Sequence, residues 1–199
     1  MSAGVAIIDS GGANIASLRA ALTRLGTDSI VTSDAGVIQR APRVLLPGVG
    51  SAHNAMARLR STGLDKLIPT LKQPLLGICL GMQILFETSE EGPANGLAVI
   101  PGAVAKLQFA PGLPVPHMGW NQLTQTKTDP LLDGVSSLDY VYFVHGYAVP
   151  AGDWTVATTD YGSNFTAVAR RDNFCGTQFH PERSGVVGAR ILANFLKAS

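Results

Sequence analysis

Two short stretches hold the residues best equipped for chemistry. The first is Gly77-Ile78-Cys79-Leu80-Gly81, a thiol set between glycines, and the second, much later in the chain, is Phe179-His180-Pro181-Glu182. Gly-x-Cys-x-Gly is the thiol form of a nucleophile elbow, in which glycines relieve crowding at a sharp strand-to-helix turn and only the side chain at the tip is presented. Leu75, Leu76 and Ile78 predict a short buried strand; residues 80–87 predict a helix, with Met82, Ile84, Leu85 and Phe86 as its apolar content. Cys79 would then sit at a helix N-terminus. The macrodipole favours a thiolate there by about 0.3–1 kcal/mol, under about one pKa unit, which is too little to make a nucleophile. A neighbouring imidazole lowers a thiol's pKa by several units and is enough.

His180 is the candidate for that imidazole. The apolar stretch 174–179 predicts a strand that Pro181 ends, which delivers the ring at a strand tip, where open α/β sheets carry their sites. Glu182 can accept the proton on the other ring nitrogen and so set tautomer and orientation. The order is nucleophile, base, orienter: Cys79, His180, Glu182. Cys175 lies inside the apolar strand and reads as a small packing residue. In Pro47-Gly48-Val49-Gly50, after another buried run, two glycines let the Val49 amide turn toward a ligand. With the amide of Leu80, the residue after the nucleophile, it would form an oxyanion hole, each donor being worth about 2.7–4 kcal/mol in the transition state. Taken singly, these pieces also read as ordinary strand-to-helix turns and a satisfied surface histidine. Their combination favours catalysis.

The elements that must position these residues alternate. Val5-Ala6-Ile7-Ile8-Asp9 is a strand ending in the glycine-bearing turn Ser10-Gly11-Gly12-Ala13, and residues 15–25 form an amphipathic helix ended by Gly26. Val44-Leu45-Leu46 is a second buried strand, followed by a helix for which Ser51 is the N-cap. The elbow strand is the third. Buried runs alternating with helices imply an open, mostly parallel α/β sheet with helices on both faces. After Gly96 come prolines at 101, 111, 114 and 116 and β-rich segments at 141–149, 154–159 and 165–170, which predict an antiparallel or mixed extension. An apolar-periodic helix over 186–196 closes the chain. The glycines after the first strand lack the G-x-G-x-x-G spacing of a dinucleotide site.

At 199 residues, with 46% hydrophobic and 15% charged residues, one domain spanning 1–199 is expected. A net charge of +1 without a Lys/Arg cluster argues against nucleic acid as a partner. No apolar run approaches the roughly 18 residues needed to span a membrane, and the start has no charged n-region. The expected compartment is the cytoplasm, in keeping with two cysteines that form no disulfide framework. Neither a metal nor a cofactor is called for.

The chain resembles the class I, triad-type glutamine amidotransferases, and among them the glutaminase subunits of imidazole glycerol phosphate synthases of histidine biosynthesis. The class likeness rests on Gly-Ile-Cys-Leu-Gly-Met-Gln at 77–83 and on Phe179-His180-Pro181-Glu182. The narrower likeness rests on Pro47-Gly48-Val49-Gly50, Pro116-His117-Met118-Gly119-Trp120-Asn121 and Tyr142-Phe143-Val144-His145-Gly146-Tyr147. Without the family, the second of these strings reads as a polar turn with a buried Trp. The first loop departs from the family's Asp-Tyr-Gly-x-Gly-Asn at Ser10 and Ala13, and Gly146 and Arg183 replace commoner residues.

The resemblance implies hydrolysis of L-glutamine to glutamate and ammonia through a thioester on Cys79. It also implies substrate contacts from Gly48, Gln83, Glu91, His145 and Tyr147, Glu91 pairing with the α-ammonium group. Glu91 alternatively reads as part of a solvated helix end. Ammonia released to water would be protonated and lost, so a partner is implied: in this family, a (β/α)8-barrel cyclase, reached through a surface built from His117, Trp120, Asn121 and Tyr142. A glutaminase subunit of another pathway, such as anthranilate or pyridoxal phosphate synthesis, a stand-alone γ-glutamyl hydrolase and a non-catalytic binding module remain the alternatives.

Overall fold

A computed structural model describes residues 4–10, 14–92, 94–108 and 111–197, so residues 11–13 of the expected first turn lie outside the described residues. The first half runs β1 (Val5–Ile8), α1 (Ile15–Arg24), β2 (Ser29–Thr32), α2 (Ala35–Arg40), β3 (Val44–Gly48), α3 (Ala52–Ser61), α4 (Leu64–Leu67), β4 (Leu75–Cys79) and α5 (Leu80–Gln83). The second half runs β5 (Thr88–Ser89), β6 (Ala94–Asn95), β7 (Ala103–Lys106), β8 (His117–Gln122), β9 (Thr124–Gln125), β10 (Tyr140–His145), β11 (Tyr147–Ala148), β12 (Thr155–Asp160), β13 (Asn164–Arg171), β14 (Phe174–Thr177) and α6 (Gly185–Lys197).

An eight-stranded sheet in the order β2-β1-β3-β4-β14-β13-β12-β9 organises the molecule, parallel from β2 to β14 and antiparallel beyond. The continuous apolar runs follow from burial on both faces. Val5, Ile7, Leu45 and Leu76 point into a core with Leu18 and Leu22 of α1 and Ile191, Leu192 and Phe195 of α6. Their neighbours Ala6, Ile8, Leu46 and Leu75 point the other way, onto Ile38, Met56, Leu59 and Leu64. A two-stranded ribbon, β8 with β10, and a small sheet, β11-β7-β5-β6, complete the β-structure.

The structure corrects three expectations. The helix expected over 80–87 stops at Gln83. The amides of Leu85 and Phe86 turn to the carbonyls three residues earlier, Met82 and Gln83, and that of Glu87 donates to the Gly102 carbonyl, so the i→i−4 ladder ends; the carbonyls of Ile84, Leu85, Phe86 and Glu87 then accept from amides at 96–100. Between Gly26 and Val44 the sequence reading placed nothing, yet β2 pairs with β1 and α2 follows, its N-cap Asp34 accepting from the Val37 amide at 2.8 Å. Four residues at a half-exposed sheet edge carry too little pattern to be read alone. The string at 116–121 is no turn with a buried Trp: it enters β8, and Trp120 is 55% exposed.

Candidate active site

The elbow forms where β4 ends against β3. Cys79 has φ +54°, a conformation side chains rarely adopt, and the strain is held by the packing around it. That packing depends on interlocked glycines: a Cβ on Gly81 would lie 1.7 Å from the Leu46 carbonyl oxygen, and one on Gly77 would lie 2.7 Å from that of Gly81. The α5 backbone therefore rests directly on β3 and β4, which leaves the thiol at the start of a helix one turn long.

His180 follows β14, whose last residue is Thr177, and N-caps a short 3-10 turn over Pro181–Arg183. Its amide donates to the Tyr142 carbonyl at 3.0 Å, and Ser184 Oγ donates to its carbonyl at 2.7 Å. Its Nδ1 lies 2.8 Å from Glu182 Oε1, and that carboxylate side chain is only 2% exposed. Burial is the largest influence on the His180 ring and lowers its pKa; the hydrogen bonds to Cys79 and Glu182 and the charges on both outweigh it, leaving the imidazole pushed up to about 10. A protonated ring between a thiol and a carboxylate is the charge arrangement that a thiolate nucleophile requires.

Cys79 and His180 open on a cleft of about 240 Å³ that is also lined by Gly48, Val49, Gly50, Leu80, Gln83, Glu91, Val144, His145, Gly146 and Tyr147. The structure thus brings the expected nucleophile, base, oxyanion-loop and substrate residues to one cavity on the scale of a single amino acid. Gln83 is fixed in its floor, Nε2 donating to the Tyr147 carbonyl at 2.7 Å and to Gln178 Oε1 at 3.0 Å. Glu91 belongs to no solvated helix end: its Oε2 accepts from the Ala52 amide at the start of α3, 2.8 Å away.

The residues expected on a partner surface divide. Strand period two puts Met118, Trp120, Tyr140 and Tyr142 on the outer face of the β8–β10 ribbon, Tyr142 facing Trp120 across the register. His117 turns inward and is 3% exposed, so its placement on a contact surface is corrected. Asn121 shares that inward face and donates to the Asp160 carbonyl at 2.9 Å.

Sequence reasoning missed three residues. Asn14 Nδ2 donates to Glu182 Oε1, the oxygen that faces His180. Ser10 Oγ donates to the Pro47 carbonyl at the base of the oxyanion loop. Gln178 is wholly buried with Nε2 3.8 Å from Cys79 Sγ, and a polar residue inside the apolar stretch 174–179 was the signal for it.

The two thiols separate in environment. Cys175 is buried, donates to the Leu75 carbonyl at 3.3 Å, and burial pushes its thiol up to about 12. A folded pKa above the unfolded value of about 8.5 gives stability that is complete below that pH and lost as pH climbs toward the folded value. Iodoacetamide at pH 8 is expected to add one equivalent to the native chain, at Cys79, with Cys175 labelled only after denaturation. Peptide mass spectrometry reads the stoichiometry, and two equivalents on the native chain would contradict it.

The family described as Glutamine amidotransferase class-I matches residues 6–198. An imidazole glycerol phosphate synthase subunit HisH of Xanthomonas axonopodis pv. citri is 53% identical over 98% of this chain and 98% of its own length. The HisH subunit of Xylella fastidiosa strain 9a5c is 53% identical, over 97% of this chain and 96% of its own. A crystal structure of a glutamine amidotransferase, 18% identical, shares the fold with a TM-score of 0.76, covering 98% of this chain and 97% of that one. With that match along nearly its whole length, the chain belongs to the class-I glutamine amidotransferases, within them to the HisH subunits of imidazole glycerol phosphate synthase.

Proposed function

We infer that this chain, acting as one glutamine amidotransferase domain, is the glutaminase subunit of an imidazole glycerol phosphate synthase in histidine biosynthesis. The observation that carries the reading is the convergence of Cys79 and His180, from segments far apart in sequence, on a cleft fit for one amino acid, with Glu182 behind the His180 ring. The Cys79 thiolate attacks the side-chain amide carbon of L-glutamine, and the Val49 and Leu80 amides are the proposed donors to the oxyanion. As the C–N bond breaks, the His180 nitrogen opposite Glu182 gives its proton to the leaving nitrogen, and ammonia departs from a γ-glutamyl thioester. Water, deprotonated by the same nitrogen, releases glutamate and restores the thiol. Gln83, Glu91, His145, Tyr147 and Gly48 are the proposed substrate contacts, with the Glu91 carboxylate meeting the α-ammonium group.

The relatives are subunits, which implies a partner subunit here. A (β/α)8-barrel cyclase is the proposed partner, and the cytoplasm the proposed compartment; no described helix is long and apolar enough to cross a membrane. Met118 at 67%, Trp120 at 55% and Tyr140 at 51% exposure, beside Tyr142, supply an apolar outer face that suits such a contact. Arg183 lies over the Tyr142 ring at 4.4 Å and adds a cation at its rim. This face carries Val144, whose carbonyl accepts from the Cys79 thiol at 3.8 Å, so a partner there would receive ammonia close to where it forms.

The test is steady-state glutamine hydrolysis by the chain alone and with the cyclase and its phosphoribosyl ligand. Addition of both is expected to raise turnover about 10²–10³-fold, the value of one oxyanion donor brought into line. Full activity of the lone chain would sink the partner-dependent reading in favour of a stand-alone hydrolase.

A further inference from the structure

The inner face of the β8–β10 ribbon holds two histidines that the reaction above does not use as acids or bases. The His117 ring stacks between Phe143, 4.8 Å between centroids, and Tyr161, at 3.9 Å. Its Nδ1 lies 3.0 Å from His145 Nε2, and His145 Nδ1 lies 2.8 Å from the Tyr147 carbonyl oxygen. A carbonyl can only accept, so His145 Nδ1 carries the proton. In the neutral ring Nε2 is then bare and accepts, so His117 donates from Nδ1. That leaves His117 Nε2 as an acceptor, facing Asn121 Nδ2 at 3.4 Å. The Asn121 amide is oriented independently: its Oδ1 accepts from the Gln122 amide at 2.8 Å and its Nδ2 donates to the Asp160 carbonyl.

Every donor in this series points the same way, from Asn121 on β8 to the Tyr147 carbonyl, which also receives Gln83 Nε2 at the floor of the cleft. A charge on either ring would set two donors face to face and break it. Burial opposes that charge, holding His117 down to about 4 and His145 to about 3 against an ordinary value of 6.5.

We propose that His117 and His145 form a relay of two neutral imidazoles that fixes the Gly146–Tyr147 backbone at the wall of the cleft. His117, which does not line the cleft, is thereby a positioning residue for substrate binding. The role in binding glutamine rests on the glutaminase reading given above; the hydrogen-bond direction does not.

Two substitutions separate this from packing. In His117→Phe the ring stays between Phe143 and Tyr161 but His145 Nε2 loses its donor, and KM for glutamine is expected to rise about 5- to 20-fold, with kcat changing far less. In His117→Asn the side-chain amide can occupy the place of Nδ1 while the stacking is lost. KM should then recover toward the wild-type value although the thermal midpoint falls further than in the Phe variant. A KM that simply tracks stability across the pair, or that stays unchanged in His117→Phe, would overturn the proposal.

Long-range ¹⁵N–¹H NMR of the wild-type chain at pH 7 decides the matter without any variant. Both rings should be neutral with the proton on Nδ1, and a charged ring or an Nε2-protonated His145 would overturn the relay. Were the wild-type chain with its partner unable to hydrolyse glutamine at all, the glutaminase reading would fall, and the spectrum would still decide the relay.

Discussion

Replacing Cys79 by alanine is expected to lower partner-stimulated glutamine hydrolysis by about 10⁴-fold or more, because members of a catalytic triad act as a unit and loss of the nucleophile removes the covalent route. Among the described residues only one other thiol exists, and Cys175 is too deeply buried to substitute. The variant keeps a Cβ at the same positive φ, so the elbow's backbone faces no new demand, and the eight-stranded sheet should form as before. Hydrolysis is read as glutamate release, and the thioester is sought by mass spectrometry of acid-quenched enzyme. A variant retaining more than about a hundredth of the wild-type rate would contradict the triad assignment, since nucleophile removal in comparable triads is far more damaging.

Gly81→Ala is expected to be the most destabilising Gly→Ala change among the described glycines. The added Cβ would sit 1.7 Å from the Leu46 carbonyl oxygen, and the atom it meets is main chain of a central strand that cannot swing aside as a side-chain tip could. Overpacking a core usually costs about 1–3 kcal/mol and sometimes more; contact with backbone places this change at about 3 kcal/mol or beyond. Urea denaturation at neutral pH reads it as a fall in the midpoint at constant m, and poor recovery of soluble protein would agree. A loss below about 1 kcal/mol would mean that α5 can lift off β3, contrary to the close contact described above.

These two expectations draw on features that differ in how openly the chain displays them. The elbow could be read because its constraint is local: Cys79 between glycines at 77 and 81 states a backbone demand that few other folds make. His180 could be read because Pro181 marks the change from an apolar stretch to a turn, although β14 itself already ends at Thr177 and the proline instead opens the 3-10 turn after His180. The central strands were legible because burial on both faces writes itself as uninterrupted apolar runs at Val5–Ile8, Val44–Gly48 and Leu75–Cys79. Where pairing partners lie far off, the reading failed. The course of the chain after α5 depends on partners well downstream, as with the Leu97 amide on the Ile84 carbonyl and the Gly102 carbonyl on the Glu87 amide. The inward turn of His117 and the outward turn of Trp120 depend on which face of the ribbon meets Phe165 and Tyr161, and alternation alone leaves that choice open.

By itself, then, the order of amino acids determined which residues are the candidates for the reaction and that a mostly parallel sheet holds them, because glycine, proline and unbroken hydrophobic runs act through neighbours along the backbone. Tertiary structure alone decided that Asn14 steadies Glu182, that Gln178 and Gln83 brace the cleft, and which side of the β8–β10 ribbon faces outward. Each of those outcomes requires groups many residues apart to meet, as hydrogen-bond partners or as packed rings, and only the folded chain brings them together.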